Sequence, residues 1–587
     1  MHRKAILIIA AVTLLTFGNS LGNGFVGDDD VVIVRNTFYT SWKNFPRLFA
    51  HDYLTDSDIV FNSKGEYFHS GSVAYRPVLS ATFFIDRWIW KLNPFGYHLH
   101  NLLLHAGNGV LVYFMVFLIL GNSPLALLSA LLFAVHPFKT EAVCAIGYRA
   151  DILAAFFFLV SFLSYIHHHR HKKFLRAGWI VLSHAAFFLA LFTKESAIIY
   201  LGIVAAYDFL VRGEKMSGVM KRFFSTYLGF LGITAFYLYT YFFLFPNFTL
   251  IYSSVPCGSG VGRVLTILHI LSSYVTGFFL PFAVKTLPPG YVPNIHQSQN
   301  LAVPFAVIAM ISIVYFLVRI RRYQKEAAFF FVWFFLSLIP VSNIIPIANP
   351  MAYRFMYLPS VGFLALLVVF GDILRVGVFH LGRVSRDISW DKMIKLIWVM
   401  ACMAVTISLN TTWRNNFVMA SHMIRDYPRS WIGYMYLGME YYKGGDIEKV
   451  KALLLKADEL GLDDPRGFYL LGLCFSKDSD RSKSFYEKSI RSFPNYALSY
   501  VGLGRAYVLQ GAYEQAVPYL TRGIELEPLY SAYGYLIESY IGLGRLDEAQ
   551  TIYEKARAVL TDKGHVDSLF RMIQEGHHLK IPIDIGI

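Results

Sequence analysis

Long apolar runs set the pattern of this chain. Each is close to the 17–25 residues a helix needs to cross a bilayer. They recur near 5–21, 98–120, 124–138, 151–166, 178–193, 197–211, 223–245, 263–281, 301–319, 327–346, 355–375 and 392–410. The loops between them carry basic clusters: Arg3-Lys4, Arg170/Lys172/Lys173/Arg176, Arg212/Lys215/Lys221/Arg222, Arg319/Arg321/Arg322/Lys325 and Arg375/Arg383/Arg386/Lys392/Lys395. Placing all five inside satisfies the positive-inside rule for every run but one. Parity fails between 223–245 and 301–319, so 263–281 is expected to be re-entrant or interfacial, leaving eleven crossings. The loop 22–97, residues 136–151, 193–196 and 346–354, and everything after 410 then fall outside.

Past residue 410 the pattern becomes that of a soluble, repeated segment. Leu437-Gly438, Leu471-Gly472 and Leu503-Gly504 recur at spacings of 34 and 32. Ala516 and Ala549 are 33 apart, and Pro494 and Pro528 are 34 apart. The stretch YVGLGRAYVLQGAYEQAVPYLTRGIELEP matches a tetratricopeptide repeat, with small residues where two helices approach and Pro closing the second. About four repeats fit, enough to bury a stacked core. Pro518 falls inside an expected helix, and the repeat at 465–494 is short.

Composition agrees with a membrane chain. Of 587 residues, 55% are hydrophobic and 16% charged, against about 45–50% and 25% in soluble domains. Mean hydropathy is +0.45. The net charge of +14 is largely the loop asymmetry, so a nucleic-acid partner is not expected. The four Cys form no CxxC pair. The basic, apolar N-terminus reads as a retained first span rather than a cleaved signal peptide. The tract HHHRH (167–171), followed by KKFLR, reads as an interfacial anchor rather than a metal site, and no metal is required.

Against this background, the ionisable residues beside apolar runs demand a reason, since each costs about 2.5–3.5 kcal/mol to insert. Asp28, Asp29 and Asp30 follow the first run directly. His136, Lys139, Glu141, Arg149 and Asp151 crowd HPFKTEAVCAIGYRADILAA, and Tyr75, Arg76, Lys194, Glu195 and Arg354 lie in other outer segments. Three Asp alone are a solvated charge run or an acid/base site. Arg149 with Asp151, and Lys194 with Glu195, have the look of structural pairs; His136 is a candidate cap before Pro137, and Lys139 an interfacial anchor.

The blocks F-V-x-D-D…I-x-x-N, Y-R-P, N-P-F-G-Y-H-L-x-N-x-L-L-H, H-P-x-x-T-E-A-V, R-A-D-x-L-A-A, K-E and Y-L-P-S-x-G-F occur here in order. Together they resemble the transmembrane and tetratricopeptide-repeat O-mannosyltransferases, within the GT-C superfamily. The resemblance implies an α-helical fold: a polytopic GT-C bundle over 1–410, then a tetratricopeptide α-solenoid over 411–587 on the outer or lumenal side. It implies inverting transfer of a sugar, mannose favoured, from a polyprenyl- or dolichyl-phosphate donor to a protein Ser/Thr hydroxyl. The base role falls on Asp28 or Asp29, with Asp30 a bystander. Arg76, Arg354, Arg149, Lys194 and His136 are candidates for the donor's phosphate and sugar; Glu141, Asp151, Glu195 and Tyr75 support them. The repeats would recruit the acceptor protein or a partner. A glycan or lipid acceptor, or a non-enzymatic scaffold, are the alternatives. The short repeat array favours a bacterial inner membrane over the endoplasmic reticulum. One departure is Tyr353, where the family tends to carry an acid before the Arg.

Overall fold

A computed structural model of the chain describes residues 2–50, 75–170, 173–215, 217–218, 223–244, 260–286, 308, 311, 315, 324–344, 347, 349–380, 388–560 and 563–575. Most of the expected span 301–319, the residues Lys172, Lys221, Arg222, Arg319, Arg321, Arg322, Arg383 and Arg386 of the basic clusters, and Cys257 lie outside these. Among the described residues every regular element is helical. The chain divides into two units, with the boundary at Met419/Ala420.

The first unit holds α1 (His2–Phe17), α2 (Pro77–Trp90), α3 (Pro94–Leu120), α4 (Ser123–Val135), α5 (Thr140–Cys144), α6 (Arg149–Arg170), α7 (Lys173–Leu191) and α8 (Tyr200–Ala206). It continues with α9 (Leu228–Leu244), α10 (Gly260–Phe279), α11 (Gln324–Leu338), α12 (Pro359–His380), α13 (Ile388–Asn410) and the start of α14 (Asn416–Asp426). Local chemistry sets several boundaries. The Asn93 side chain accepts from Phe95 N and caps α3, Pro94 opens it, and Gly121 ends it at φ +65°, a left-handed conformation that favours glycine. Among the described residues, four helices are long and apolar enough to cross a membrane: His2–Gly22, Pro94–Leu120, Ile146–Arg170 and Lys392–Trp413. Ser123–Val135 and Pro137–Cys144 add a fifth if that bent pair is one span; the bend between them is 53°. The shorter apolar helices Leu175–Leu191, Leu228–Phe243, Thr266–Phe279 and Pro359–Ile373 coincide with other expected runs. Length and apolarity among the described residues do not by themselves establish the eleven crossings expected, one of which, 301–319, lies largely outside those residues.

Gly260–Phe279 is one uninterrupted helix, while the chain turns sharply at His136. Pro137 forces its predecessor out of the helical region, and His136 sits at φ −68°, ψ 134°. Its Nδ1 accepts from Phe138 N, so it caps the next turn.

The second unit is four helix pairs and a closing helix. The pairs are α15 (Trp431–Lys443) with α16 (Ile447–Glu459), α17 (Pro465–Cys474) with α18 (Ser479–Ser492), α19 (Ala497–Leu509) with α20 (Tyr513–Leu526), and α21 (Tyr530–Gly542) with α22 (Leu546–Val559). The closing helix is α23 (Lys563–Gln574). The repeated glycines are where large side chains enter: Tyr486 lies against both Gly472 and Gly502, and Leu520 against Gly504. Helix α20 runs through Pro518 at the cost of one backbone hydrogen bond. An ideal Cβ on Gly472 would lie 2.4 Å from the Tyr486 ring. Gly472→Ala is therefore expected to destabilise the repeats by ~1–3 kcal/mol, the usual penalty of overpacking. Thermal denaturation with limited proteolysis of the repeat segment would check this, and unchanged resistance would refute it.

Candidate active site

The segment after α1 is pinned from the far end of the first unit. Gly24 N donates to Arg414 O at 2.9 Å, Asn23 Nδ2 to Asn410 O at 3.2 Å, and Gly27 N to Asn416 Oδ1 at 2.7 Å. Gly27, at φ +61°, then turns the chain into the acidic run. The three acids part ways there. Asp30 pairs with Arg35 at 2.9 Å. Asp29 is 1% exposed; its oxygens accept from Val26 N at 3.0 Å and Gly147 N at 2.5 Å. Asp28 is exposed. A Cβ on Gly147 would lie 3.2 Å from Asp29 Oδ1 and 3.7 Å from Asp28 Cβ, so glycine lets the IGYRAD loop approach the acids closely without displacing Asp29.

Burial pushes the Asp29 carboxyl up from 3.8 to about 7; the backbone donors Val26, Gly147 and Ile146 oppose this and the Asp28 charge adds to it. Between about pH 4 and 7 the folded state therefore keeps a proton that the unfolded chain has lost. Stability should fall as pH rises through that window and level off above it. Asp29→Asn should flatten the slope. Melting temperatures of wild type and variant from pH 4 to 8 would check it, and parallel curves would refute it.

The cations meet carboxylates, but not the ones adjacency implied. Arg149 pairs with Asp86 of α2 at 2.5 Å, not with Asp151. Residues two apart on a helix do not face each other. Its other donors go to Asn101, Thr82 and the Tyr97 carbonyl, and it is buried at 1% exposure. Arg149 is thus a brace inside the bundle. Lys194 pairs with Asp151 at 2.6 Å, and Glu195 with Arg76 through contacts of 2.9 and 3.3 Å. Lys194 is extended, at φ −156°, ψ 130°, so it and Glu195 point to opposite sides.

Arg354 is held by Glu141, which accepts from Arg354 N at 3.0 Å and from Nη1 in a short contact. Its guanidinium lies over the Tyr148 ring at 3.9 Å and keeps 11% of its side chain exposed. The charges of Asp151 and Asp28 both act on it. Lys194 Nζ lies 5.7 Å from the Phe355 ring, and a pocket opens between Asp151, Lys194, Ser196, Phe355 and Leu358. Asp28, Glu141, Asp151, Lys194 and Arg354 thus form one neighbourhood, with Arg76 and Glu195 continuing it.

Lys139 corrects another expectation. It is no interfacial anchor but 0% exposed. It donates to the Tyr357 carbonyl at 3.2 Å and to Ser360 Oγ, with its Nζ 4.2 Å from the Phe133 ring. Lys139 and Glu141 together clasp the 353–360 segment. Tyr353 stacks on Phe138 at 5.0 Å, Tyr75 donates to Phe49 O at 2.9 Å, and His136 lies buried against Phe138 and Phe278. His167 stacks on Trp179, and among the described residues no cluster of three metal-ligating side chains occurs. Sequence reasoning missed Gly147, Tyr148 and Asp86. A lone Asp inside the apolar PVLSATFFIDRWIW was the available signal for the last.

A helical membrane unit joined to tetratricopeptide helix pairs defines the class, and comparison with known proteins narrows it. A tetratricopeptide-repeat family model matches residues 497–528. The chain is 34% identical over 226 residues to the human protein O-mannosyl-transferase TMTC4, covering 35% of this chain and 29% of that one. It is 33% identical to human TMTC2, covering 35% and 24%, and 31% identical to Xenopus laevis tmtc2, covering 37% and 26%. The match spans less than a third of the length of these curated relatives. Among solved structures, a tetratricopeptide protein of Thermus thermophilus matches 31% of this chain and 94% of its own, at 16% identity and TM-score 0.24. Over about 35% of its length the chain is thus similar to the protein O-mannosyl-transferases, the family that the ordered motif blocks resemble.

Proposed function

We propose that the chain is an inverting glycosyltransferase that moves a monosaccharide, mannose favoured, from a polyprenyl- or dolichyl-phosphate donor to a Ser or Thr hydroxyl of a protein. The observation that carries the reading is the division of labour between two neighbouring acids. Asp29 is sealed against Val26 and Gly147, while Asp28 is exposed in the neighbourhood of Arg354. A general base must reach the proton it takes, so the base role goes to Asp28 and Asp29 positions it. The acceptor oxygen attacks the anomeric carbon as Asp28 takes its proton. The bond from that carbon to the phosphate oxygen breaks, and the lipid phosphate leaves with the electron pair. Arg354 is assigned to that phosphate: Glu141 takes one guanidinium nitrogen, leaving others for an oxyanion, which guanidinium grips well in poorly hydrated sites. Arg76 is already engaged by Glu195 through two contacts, and Lys194 by Asp151, so they shape the pocket. This reading routes no step through a metal ion.

The reaction side is taken to be the periplasmic or lumenal face, with the repeats recruiting the acceptor. The relatives named come from human and frog and lend no support to a bacterial inner membrane over the endoplasmic reticulum. The test is transfer of radiolabelled sugar from polyprenyl-phosphate mannose and polyprenyl-phosphate glucose by membranes containing the protein. Label in protein is expected. Label in lipid or glycan would overturn the acceptor, and no transfer from either donor would overturn the enzyme.

A further inference from the structure

The transfer reaction leaves one basic cluster unused, at the opposite end of α6 from Asp151. Helix α6 closes on His167, His168, His169 and Arg170, and α7 starts beside it at Lys173. Two arginines there are fixed by main-chain carbonyls rather than by acids. Arg176 Nε donates to His168 O at 3.1 Å, and His168 Nδ1 donates to Arg176 O at 2.8 Å, a reciprocal pair that ties α6 to α7. Arg170 Nη2 reaches Leu118 O in a short contact; that carbonyl is one of those the end of α3 leaves without a helical partner. Both arginines are exposed, and among the described residues neither has a carboxylate within ion-pairing distance. Arg212 is the contrast. It pairs with Asp208 at 2.7 Å and with Glu214 at 3.0 Å, and Tyr165 and Tyr227 also donate to Asp208. Those two acids are thereby engaged, and the charges of Arg170 and Arg176 stay unbalanced.

Two further observations put these charges at the boundary of the bilayer. Trp179 stacks on His167 with ring centroids 4.8 Å apart, and indole rings concentrate where the apolar core meets the lipid headgroups. Helix α7 also leaves Leu175, Val181 and Leu182 exposed, the kind of face a helix turns to acyl chains. What meets the arginines at that boundary is a headgroup. A phosphodiester offers guanidinium a charged, planar-matched pair of acceptor oxygens. A zwitterionic headgroup brings a cation of its own beside two others, and a net anionic headgroup does not.

We propose that Arg170 and Arg176 form a binding site for the headgroup of an anionic phospholipid of the bilayer, at the shared end of α6 and α7. The carbonyl contacts orient the two guanidiniums in advance, so few side-chain rotamers are lost when the lipid binds. The site stands without the transferase chemistry.

The test is native mass spectrometry of the full chain in detergent, titrated separately with phosphatidylglycerol, phosphatidylcholine and glycerol 3-phosphate. Wild type is expected to hold its first phosphatidylglycerol about 25-fold more tightly than its first phosphatidylcholine, about fivefold for each basic side chain at a membrane surface. Glycerol 3-phosphate, the soluble headgroup fragment, should bind more weakly than phosphatidylglycerol. Arg170→Gln and Arg176→Gln should each lower the preference about fivefold and together abolish it. Arg414→Gln, which removes an exposed charge past the end of α13, should leave it intact. A second measurement needs no arginine variant: brominated phosphatidylglycerol should quench tryptophan fluorescence more than brominated phosphatidylcholine, and the excess should vanish in Trp179→Phe. Equal binding of the two lipids by wild type would overturn the proposal, as would glycerol 3-phosphate binding as tightly as phosphatidylglycerol. So would a preference that survives in the folded double variant or is lost equally in Arg414→Gln, or excess quenching that persists in Trp179→Phe.

Discussion

Asp28→Asn should reduce sugar transfer by about 10²–10⁴-fold, the usual contribution of a positioned general base, while leaving the protein's melting temperature unchanged. The expectation rests on where the two acids put their oxygens. Asp28 is exposed, so its carboxylate bonds water in the folded and unfolded states alike, and Asn in its place costs the fold little. Asp29 is the opposite case. Its two oxygens accept from Val26 N and Gly147 N, and an amide in its place turns one acceptor into a donor facing a donor. Asp29→Asn should therefore lower the melting temperature and the rate together, by a smaller kinetic factor of about ten. Rates and melts of the two variants, expressed at equal levels, separate the roles. If Asp29→Asn abolishes transfer with its stability intact, while Asp28→Asn stays active, the assignment is reversed.

The helices were legible because their signals are local. Each of the long crossing helices coincides with an apolar run, and α3 begins and ends on the Asn93-Pro94 and Gly121 that any reader would mark. The repeat glycines were legible for the same reason, since a recurring Leu-Gly records a recurring close approach. Of the candidate residues in the ordered motif blocks, the fold gathers Glu141, Asp151, Lys194 and Arg354 near one another, whereas Arg149 and His136 pack elsewhere. The wiring of the site was not legible. Arg149 finds its acid on α2, Lys194 finds Asp151 across a helix boundary, and Lys139 finds two aromatic rings and a carbonyl from a distant segment. None of these contacts is encoded by neighbours in the chain. Adjacency misled because side chains one or two positions apart diverge in helices and strands. Lys139 misled for a further reason: a lysine beside an apolar run is usually a snorkelling anchor. Only the packed structure shows that Phe133, Tyr357 and Ser360 have enclosed this one.

Arg354→Ala is expected to cost about 10²–10³-fold in transfer, the range for losing one preorganised group that stabilises developing charge. The loss should lie mainly in kcat, because the charge on the lipid phosphate grows as its bond to the sugar breaks. Glu141→Gln should cost less, about tenfold, by a different route. The neutral amide still accepts from the Arg354 backbone, but it no longer holds the guanidinium against the Tyr148 face. Activity alone cannot distinguish a phosphate contact from a structural pair, since a broken buried pair also lowers the rate. Inhibition by polyprenyl phosphate, the leaving group itself, can. It should be weakened about tenfold or more in Arg354→Ala and unchanged in Asp28→Asn, whose carboxylate addresses the acceptor. Unaltered inhibition in a folded Arg354→Ala protein would remove Arg354 from the phosphate. Since Arg149 is enclosed by four protein acceptors, the role would then pass to Arg76 or Lys194, whose carboxylate partners would have to yield when the donor binds.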